Sequence, residues 1–333
     1  MHPPHTELDF SLKQAFGPLL ALLNDPAVTD IFVNGSAGVW VDRGSGAVRV
    51  EGIEMDARVQ RKIAVDLIAA GGRHLDEMNP CVDVRLVGGI RVHAVLEPIS
   101  TEGSLISVRI PRARHRSFVS LVSSGLCDEV TAKWLLALVR SRKNVLISGP
   151  TGSGKTTLLA AMMGTVSSNE RILTVEDVAE LQIDHPHVIG LEARQSNIEG
   201  VGEITMERLV RESLRMRPDR IVLGECRGPE LRILLSALNT GHDGGAGTVH
   251  ASSLADVPAR LEALGASAGM STDELARQAV SAIDAVVALK QHGTGREIEA
   301  VGRLGLGSNG SLVAHELTVE KLSFEDYGLR REH

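Results

Sequence analysis

The sequence predicts an α/β protein in two parts: a small α+β domain over residues 1–110, a linker at 111–118, and a larger domain over 119–333 built on a largely parallel sheet. Three observations carry this. From Asn144 onward, short apolar runs alternate with helical segments (144–148, 155–166, 171–175, 205–216, 220–224, 229–238), the pattern of strand–helix crossovers. Before Asn144 the runs are strand-like, separated by turn signals and two amphipathic stretches. Between the first apolar run and the first helix of the larger part lies Gly149-Pro150-Thr151-Gly152-Ser153-Gly154-Lys155-Thr156, which fits G-x-x-x-x-G-K-[ST] in the strand–turn–helix context that motif requires.

The elements follow in order. Residues 7–24 show helical spacing of apolar positions. Val28 to Val41 alternates in the strand manner about a turn at Asn34-Gly35. Residues 58–70 read as an amphipathic helix, and Cys81 to Leu96 as two strands joined at Gly88-Gly89. Leu105 to Ile110 is a further strand, which Pro111 ends. The segment 111–118 carries Arg112, Arg114, Arg116 and His115, and reads as an interdomain linker and hinge or simply as a solvated basic loop. A helix over Ala132 to Val139 leads into the larger domain. Residues 239–252 hold Gly241, Gly244, Gly245 and Gly247 and read as a flexible loop. Residues 291–333 are turn-rich around short strand-like runs such as Ile298 to Val301, and suggest a final hairpin or small subdomain.

Bulk properties narrow the function. The 333 residues are 43% hydrophobic and 23% charged, as in globular enzymes, while only 2% are aromatic, so aliphatic side chains must build the core. The net charge of −7 argues against a general nucleic-acid binder working through a basic surface. Cys81, Cys127 and Cys226 are scattered and form no C-x-x-C pair, which leaves them as buried small hydrophobes rather than zinc ligands. No apolar run reaches the length of a membrane span and the N-terminus lacks a signal-peptide pattern, so the expectation is a cytoplasmic protein that meets a membrane through a partner.

The chemistry centres on phosphate. Glycines in the 149–154 turn let successive backbone N–H groups face an anion, and Thr157 follows on the emerging helix. Lys155 is placed to reach the β- and γ-phosphates, and the Thr156 hydroxyl to ligate Mg²⁺. The apolar run Ile221-Val222-Leu223 ends in Gly224-Glu225, where many such enzymes carry a metal-supporting Asp. Glu225 is therefore a candidate to orient the attacking water or to support the metal, directly or through water; a glutamate facing a helix macrodipole is the structural alternative. Glu176, with Asp177 at the end of 171–175, is a competing or assisting base. His242 and His250 bracket the Gly-rich segment and are candidate γ-phosphate sensors.

With these residues in view, the sequence resembles the secretion and pilus-assembly ATPase superfamily of type II and type IV secretion systems and type IV pili. Gly149 to Thr156 resembles its Walker A box, RILTVEDVAE (171–180) its aspartate box, RMRPDRIVLGE (215–225) its atypical Walker B box, and TGHDGGAGTVHA (240–251) its histidine box. DVAELQ (177–182), NTGHDG (239–244) and DPAVTDIFVNG (25–35) are most similar to the tight-adherence (Flp) pilus ATPases of the TadA/CpaF type. The resemblance implies a homohexamer whose subunits pair a PAS-like N-terminal domain with a RecA-like P-loop domain, with ATP and Mg²⁺ between them. It implies an inner-membrane platform protein as partner and, through it, pilin. It also implies arginines that close on the phosphates, for which Arg91, Arg109 and Arg194 are the candidates. A conjugation-type secretion ATPase is the alternative; a DNA-translocating RecA-like ATPase and a nucleotide-gated scaffold are more distant ones. Direct nucleic-acid binding is not expected.

Overall fold

The computed structural model describes residues 9–110, 116–194, 202–292 and 295–318. The chain divides into two compact units, Met1–Arg114 and His115–His333.

The first unit contains α1 (Phe10–Phe16), α2 (Leu20–Asn24), β1 (Asp30–Asn34), β2 (Val39–Asp42), β3 (Ala47–Arg49), α3 (Ala57–Ala70), β4 (Cys81–Arg85), β5 (Arg91–Val95) and β6 (Leu105–Arg109). The helix expected over 7–24 is interrupted at Gly17, whose φ is +50°, and Pro18, which has no N–H to continue the ladder. Asp9 caps α1 by accepting from Leu12 N at 2.7 Å, and Asp56 caps α3 by accepting from Val59 N at 2.8 Å. The strands form one antiparallel sheet in the order β3-β2-β1-β6-β5-β4. Alternation puts Ile31, Val33, Val92, Ala94, Ile106 and Val108 on one face, in a core shared with Phe16, Leu67 and Ile68.

The second unit contains α4 (Phe118–Ser123), α5 (Glu129–Arg140), β7 (Val145–Ser148), α6 (Lys155–Met163), β8 (Ile172–Glu176), β9 (Val188–Glu192), α7 (Met206–Ser213), β10 (Arg220–Leu223), α8 (Glu230–Leu238), β11 (Ala246–Val249), α9 (Val257–Ser267), α10 (Thr272–Ala282), β12 (Ala285–His292), β13 (Gly295–Leu306) and β14 (Leu312–Glu316). The sheet order is β14-β13-β12-β7-β11-β10-β8-β9. From β12 to β9 every pairing is parallel, and β13 and β14 add antiparallel strands at one edge. Both faces are covered. Val145 and Ile147 of β7 point into a core with Trp134, Leu135 and Leu159, while Leu146 points into a second core with Ile221, Leu231 and Leu235. That two-sided burial is why these strands read as unbroken apolar runs.

Two expectations are corrected here. The Gly-rich stretch 239–252 is not a flexible loop throughout: Ala246–Val249 is a fully buried central strand between β10 and β7. Gly245, just before the strand, answers to crowding, since a methyl group there would lie 2.4 Å from Leu238 Cδ2. In the C-terminal region the hairpin reading holds and the small-subdomain reading does not: within 291–318, β13 and β14 pair antiparallel and continue the main sheet beyond β12.

Of the linker 111–118, residues 111–115, with Arg112, Arg114 and His115, lie outside the described residues. Ser117 caps α4 by accepting from Ser120 N at 3.2 Å. Cys226 is buried, but Cys127 is only partly so and Cys81 is exposed, so the buried-hydrophobe reading holds for one cysteine of three. Among the described residues no helix is long and apolar enough to cross a membrane.

At the amino end of the parallel strands a buried ion pair ties four segments together. Arg220, with 1% of its side chain exposed, meets Glu170 Oε2 at 2.9 Å and donates to Val139 O at 2.9 Å and Gly244 O at 3.4 Å. Arg142 Nη1 joins the same carboxylate at 2.8 Å.

Candidate nucleotide site

The carboxyl end of β7 delivers Ser148 to the turn 149–154, and α6 starts at Lys155. Gly149, Gly152 and Gly154 have φ of +153°, +79° and +94°, conformations that L side chains rarely adopt. A methyl group on Gly149 would lie 2.6 Å from Ser153 Oγ and 2.7 Å from Leu289 O. The Ser148 and Ser153 hydroxyls are buried without a hydrogen-bond partner, an unsatisfied lining that suits a polar ligand. Pro150, Thr151 and Gly152 form the exposed rim, and Thr156 and Thr157, both partly exposed, lie on the first turn of α6.

Lys155 is 7% exposed. Its Nζ donates to Gly149 O at 2.9 Å and Pro150 O at 3.0 Å, and lies 3.3 Å from His250 Nδ1. Burial is the main cause that lowers its pKa, opposed by the Glu225 charge. An ammonium only donates, so His250 Nδ1 is the acceptor and the imidazole is neutral with its proton on Nε2. That Nε2–H donates to Glu225 Oε1 at 2.8 Å. The geometry agrees with the direction of the His250 pKa, lowered first by burial and then by Lys155, against the pull of Glu225. The other Glu225 oxygen accepts from Arg227 Nη2 at 2.7 Å, and Arg227 Nη1 lies 3.4 Å from Asp177. The result is a continuous chain Lys155–His250–Glu225–Arg227–Asp177 along the carboxyl ends of β7, β11, β10 and β8. Each Glu225 oxygen accepts one hydrogen bond and keeps a second lone pair on which a water can donate.

Glu176, the last residue of β8, is 4% exposed, and its Oε1 accepts from Glu180 N at 2.8 Å and Leu181 N at 2.9 Å. It therefore organises the segment after β8, whereas Glu225 faces the lysine and the histidine. The turn after Glu225 is held by Glu230, whose Oε1 accepts from Arg227 N at 2.6 Å and Gly228 N at 2.7 Å.

The remaining candidates lie elsewhere. His242 precedes β11, at the amino end of the sheet, since Ala246 pairs with Val145 at the start of β7. Its N–H donates to Ala237 O at 3.3 Å, and the whole of β11 separates it from His250. The two histidines thus belong to opposite ends of the parallel strands, and the expectation of a histidine pair at one phosphate is corrected: the spacing that suggested a loop spans a strand. Arg194 follows the edge strand β9 and donates to Gly202 O at 2.7 Å, with a bridge to Ile204. In the first unit, Arg91 and Arg109 are direct cross-strand partners, with Arg85 beside Arg91 and Asp30 beside Arg109. Sequence reasoning passed over Arg227, whose only signal was its place two residues after Glu225.

The oxygen donors at the cradle, the Thr156 hydroxyl and the Glu225 carboxylate, suit Mg²⁺, a hard cation that keeps water and substrate phosphate among its ligands.

Comparison with known proteins agrees with this geometry. The family model described as Type II/IV secretion system protein matches residues 13–292. A putative conjugal transfer protein of Mycobacterium tuberculosis is 46% identical over 286 residues, which are 84% of this chain and 81% of the relative. The conjugal transfer protein TrbB of Rhizobium radiobacter is 30% identical over 325 residues, 95% of this chain and 97% of the relative. Among solved structures, that of the pilus retraction motor PilT with bound ADP superposes with a TM-score of 0.63 at 21% identity, over 96% of this chain and 87% of the other. That likeness shows the fold: a RecA-like P-loop domain preceded by a small α+β domain.

Proposed function

The chain belongs to the type II/IV secretion system protein family, and from that premise we propose that it is an ATP-hydrolysing motor of a conjugation-type secretion machine. The observation that carries the ATPase reading is the hydrogen-bonded chain from Lys155 through His250 to Glu225 over a glycine cradle.

The phosphates of ATP lie in the 149–154 turn at the amino end of α6, with Lys155 reaching toward the γ-phosphate and Thr157 on the same helical turn. Glu225 orients a water in line with the γ-phosphorus and accepts its proton as the new P–O bond forms and the bond to the β-phosphate oxygen breaks, releasing ADP. Thr156 and Glu225 would hold Mg²⁺, which would supply neutralisation of the phosphate charge. His250 reports the γ-phosphate: a phosphate oxygen that captures Lys155 takes the donor away from Nδ1, and the change reaches Glu225 through Nε2. Glu176 supports the site by holding the segment that carries Asp177. Arg91 and Arg109, cross-strand partners, are proposed as anion-binding residues of the first unit. The segment 111–118 remains the proposed hinge.

The relatives carry conjugal-transfer names, which favours the conjugation-type alternative over the tight-adherence pilus reading that the motifs suggested first. The proposed assembly is a homohexamer acting on a membrane platform protein from the cytoplasmic side.

ATP hydrolysis by wild type, Glu225→Gln and Lys155→Ala, with the oligomer sized in the same buffer, tests the reading. The expected result is turnover by wild type, ATP binding without turnover by Glu225→Gln, and no binding by Lys155→Ala. Wild type that neither binds nor hydrolyses ATP would overturn the reading. Loss of plasmid transfer with intact piliation in a deletion strain is the result expected of the conjugation assignment; the reverse would restore the pilus one.

A further inference from the structure

The hairpin β12–β13 reaches the phosphate turn from the side opposite His250. β12 pairs with β7 on one flank, and β11, which leads to His250, pairs with β7 on the other. Near the tip of the hairpin, Gln291 and Arg296 are cross-strand partners. A methyl group on Gly154 would lie 2.8 Å from Arg296 Cδ, 3.4 Å from Nε and 3.5 Å from Nη1, and one on Gly152 would lie 3.9 Å from Gln291 Oε1. The Arg296 guanidinium therefore lies against the glycine that opens α6.

That position is electrostatically unfavourable on its own. The amino end of α6 carries about half a positive charge, and Lys155 adds a whole one. The neighbouring cross-strand pair shows the ordinary arrangement, with Lys290 Nζ 3.2 Å from Glu297. Among the described residues Arg296 forms no such ion pair. Two cations and a helix amino end converging on one turn, beside the buried and unpartnered Ser153 hydroxyl, make a site that an anion completes.

We infer that Arg296 is a phosphate-binding residue that the C-terminal hairpin contributes to the nucleotide cradle, acting on the α/β end of a nucleoside diphosphate group. The sheet order fixes the polarity. Lys155, His250 and Glu225 gather on the β11/β10 side, which is the γ end, so the β12/β13 side faces the α- and β-phosphates. Gln291 lines the same wall beside Gly152. The inference rests on the nucleotide-binding reading above.

The test is equilibrium binding of ADP and of a non-hydrolysable ATP analogue to the full chain as wild type, Arg296→Gln, Arg296→Lys and Lys155→Ala, with thermal unfolding as the control for folding. Arg296→Gln is expected to weaken both nucleotides equally, about tenfold, as loss of a charge-assisted contact does. Arg296→Lys is expected to recover part of that loss, and the salt dependence of binding to flatten in Arg296→Gln. Unchanged affinity in a folded Arg296→Gln protein, with wild type binding normally, would overturn this inference and leave the ATPase reading standing. A loss confined to the ATP analogue would overturn the α/β assignment. Wild type that binds neither nucleotide would overturn both readings together.

Discussion

Gly224 lies so close to Glu176 that a Cβ at Gly224 would fall 2.6 Å from Glu176 Cγ and 3.0 Å from its Oε1. The side chain absent just after β10 leaves the space that the buried carboxylate at the end of β8 occupies. This explains physically why the strand ends in Gly-Glu rather than in an aspartate. Restoring a side chain there, as Gly224→Ala, is expected to cost about 1–3 kcal/mol by overpacking. Gly224→Asp is expected to cost more, because it sets a second carboxylate against Glu176. Chemical denaturation of both variants checks the order.

The two carboxylates should separate by assay. Glu225→Gln is expected to lower kcat by about 10²- to 10⁴-fold while ATP still binds, the loss typical of a proton acceptor. Glu176→Ala leaves the Glu180 and Leu181 N–H groups without their acceptor, which costs about 1–3 kcal/mol of stability. A melting curve and a binding isotherm on each variant distinguish the roles. Wild-type turnover by Glu225→Gln would transfer the base assignment to Glu176.

The pH dependence follows from His250. The neutral ring must accept from Lys155, and its pKa lies below the ordinary value of 6.5. Turnover should hold steady from neutral pH down past 6.5 and fall only below it, as imidazolium forms against the ammonium. The stability contribution has the same sign. The unfolded chain takes up the proton first, so stability is full above the unfolded value and is lost as the pH falls toward the folded one. A pH–rate profile in which His250→Asn has lost this acid limb is the expected outcome.

Breaking the buried pair at the other end of the sheet is expected to be costly. Arg220→Met leaves Glu170 with Arg142 alone and removes the donor to Val139 O and Gly244 O. The loss should be about 3–5 kcal/mol, as for one member of a buried ion pair. Urea denaturation measures it. Nucleotide affinity in the fraction that remains folded should change little, since this network lies at the strand ends opposite the cradle.

The phosphate turn was legible in the sequence because each glycine answers a local backbone demand, and because Lys155 and Thr156 are the first two residues of the helix that follows it. The parallel strands were legible because burial on both faces writes an unbroken apolar run. The strand β11 was not, since Ala-Gly-Thr-Val is short, small and set among glycines, and only its tertiary position between β10 and β7 buries it. The contact between Lys155 and His250 spans 95 residues, and the Gly224–Glu176 fit is likewise tertiary. Arg227 and Arg296 were illegible for the same reason. Each reads locally as an exposed charge: Arg227 is two residues from Glu225 but meets Asp177 only through the β10–β8 pairing, and only the strand order brings Arg296 to Gly154.

The placement of β7 between β11 and β12 also bears on how the chain is made. During synthesis the phosphate-loop strand emerges well before either neighbour, residues 246–249 and 285–288, exists to pair with it. Such non-local pairing slows folding and leaves a bare apolar edge on the nascent chain. Translation that stops short of residue 285 would release a protein with the whole phosphate motif and an open β7 flank, a template for aggregation rather than a smaller enzyme.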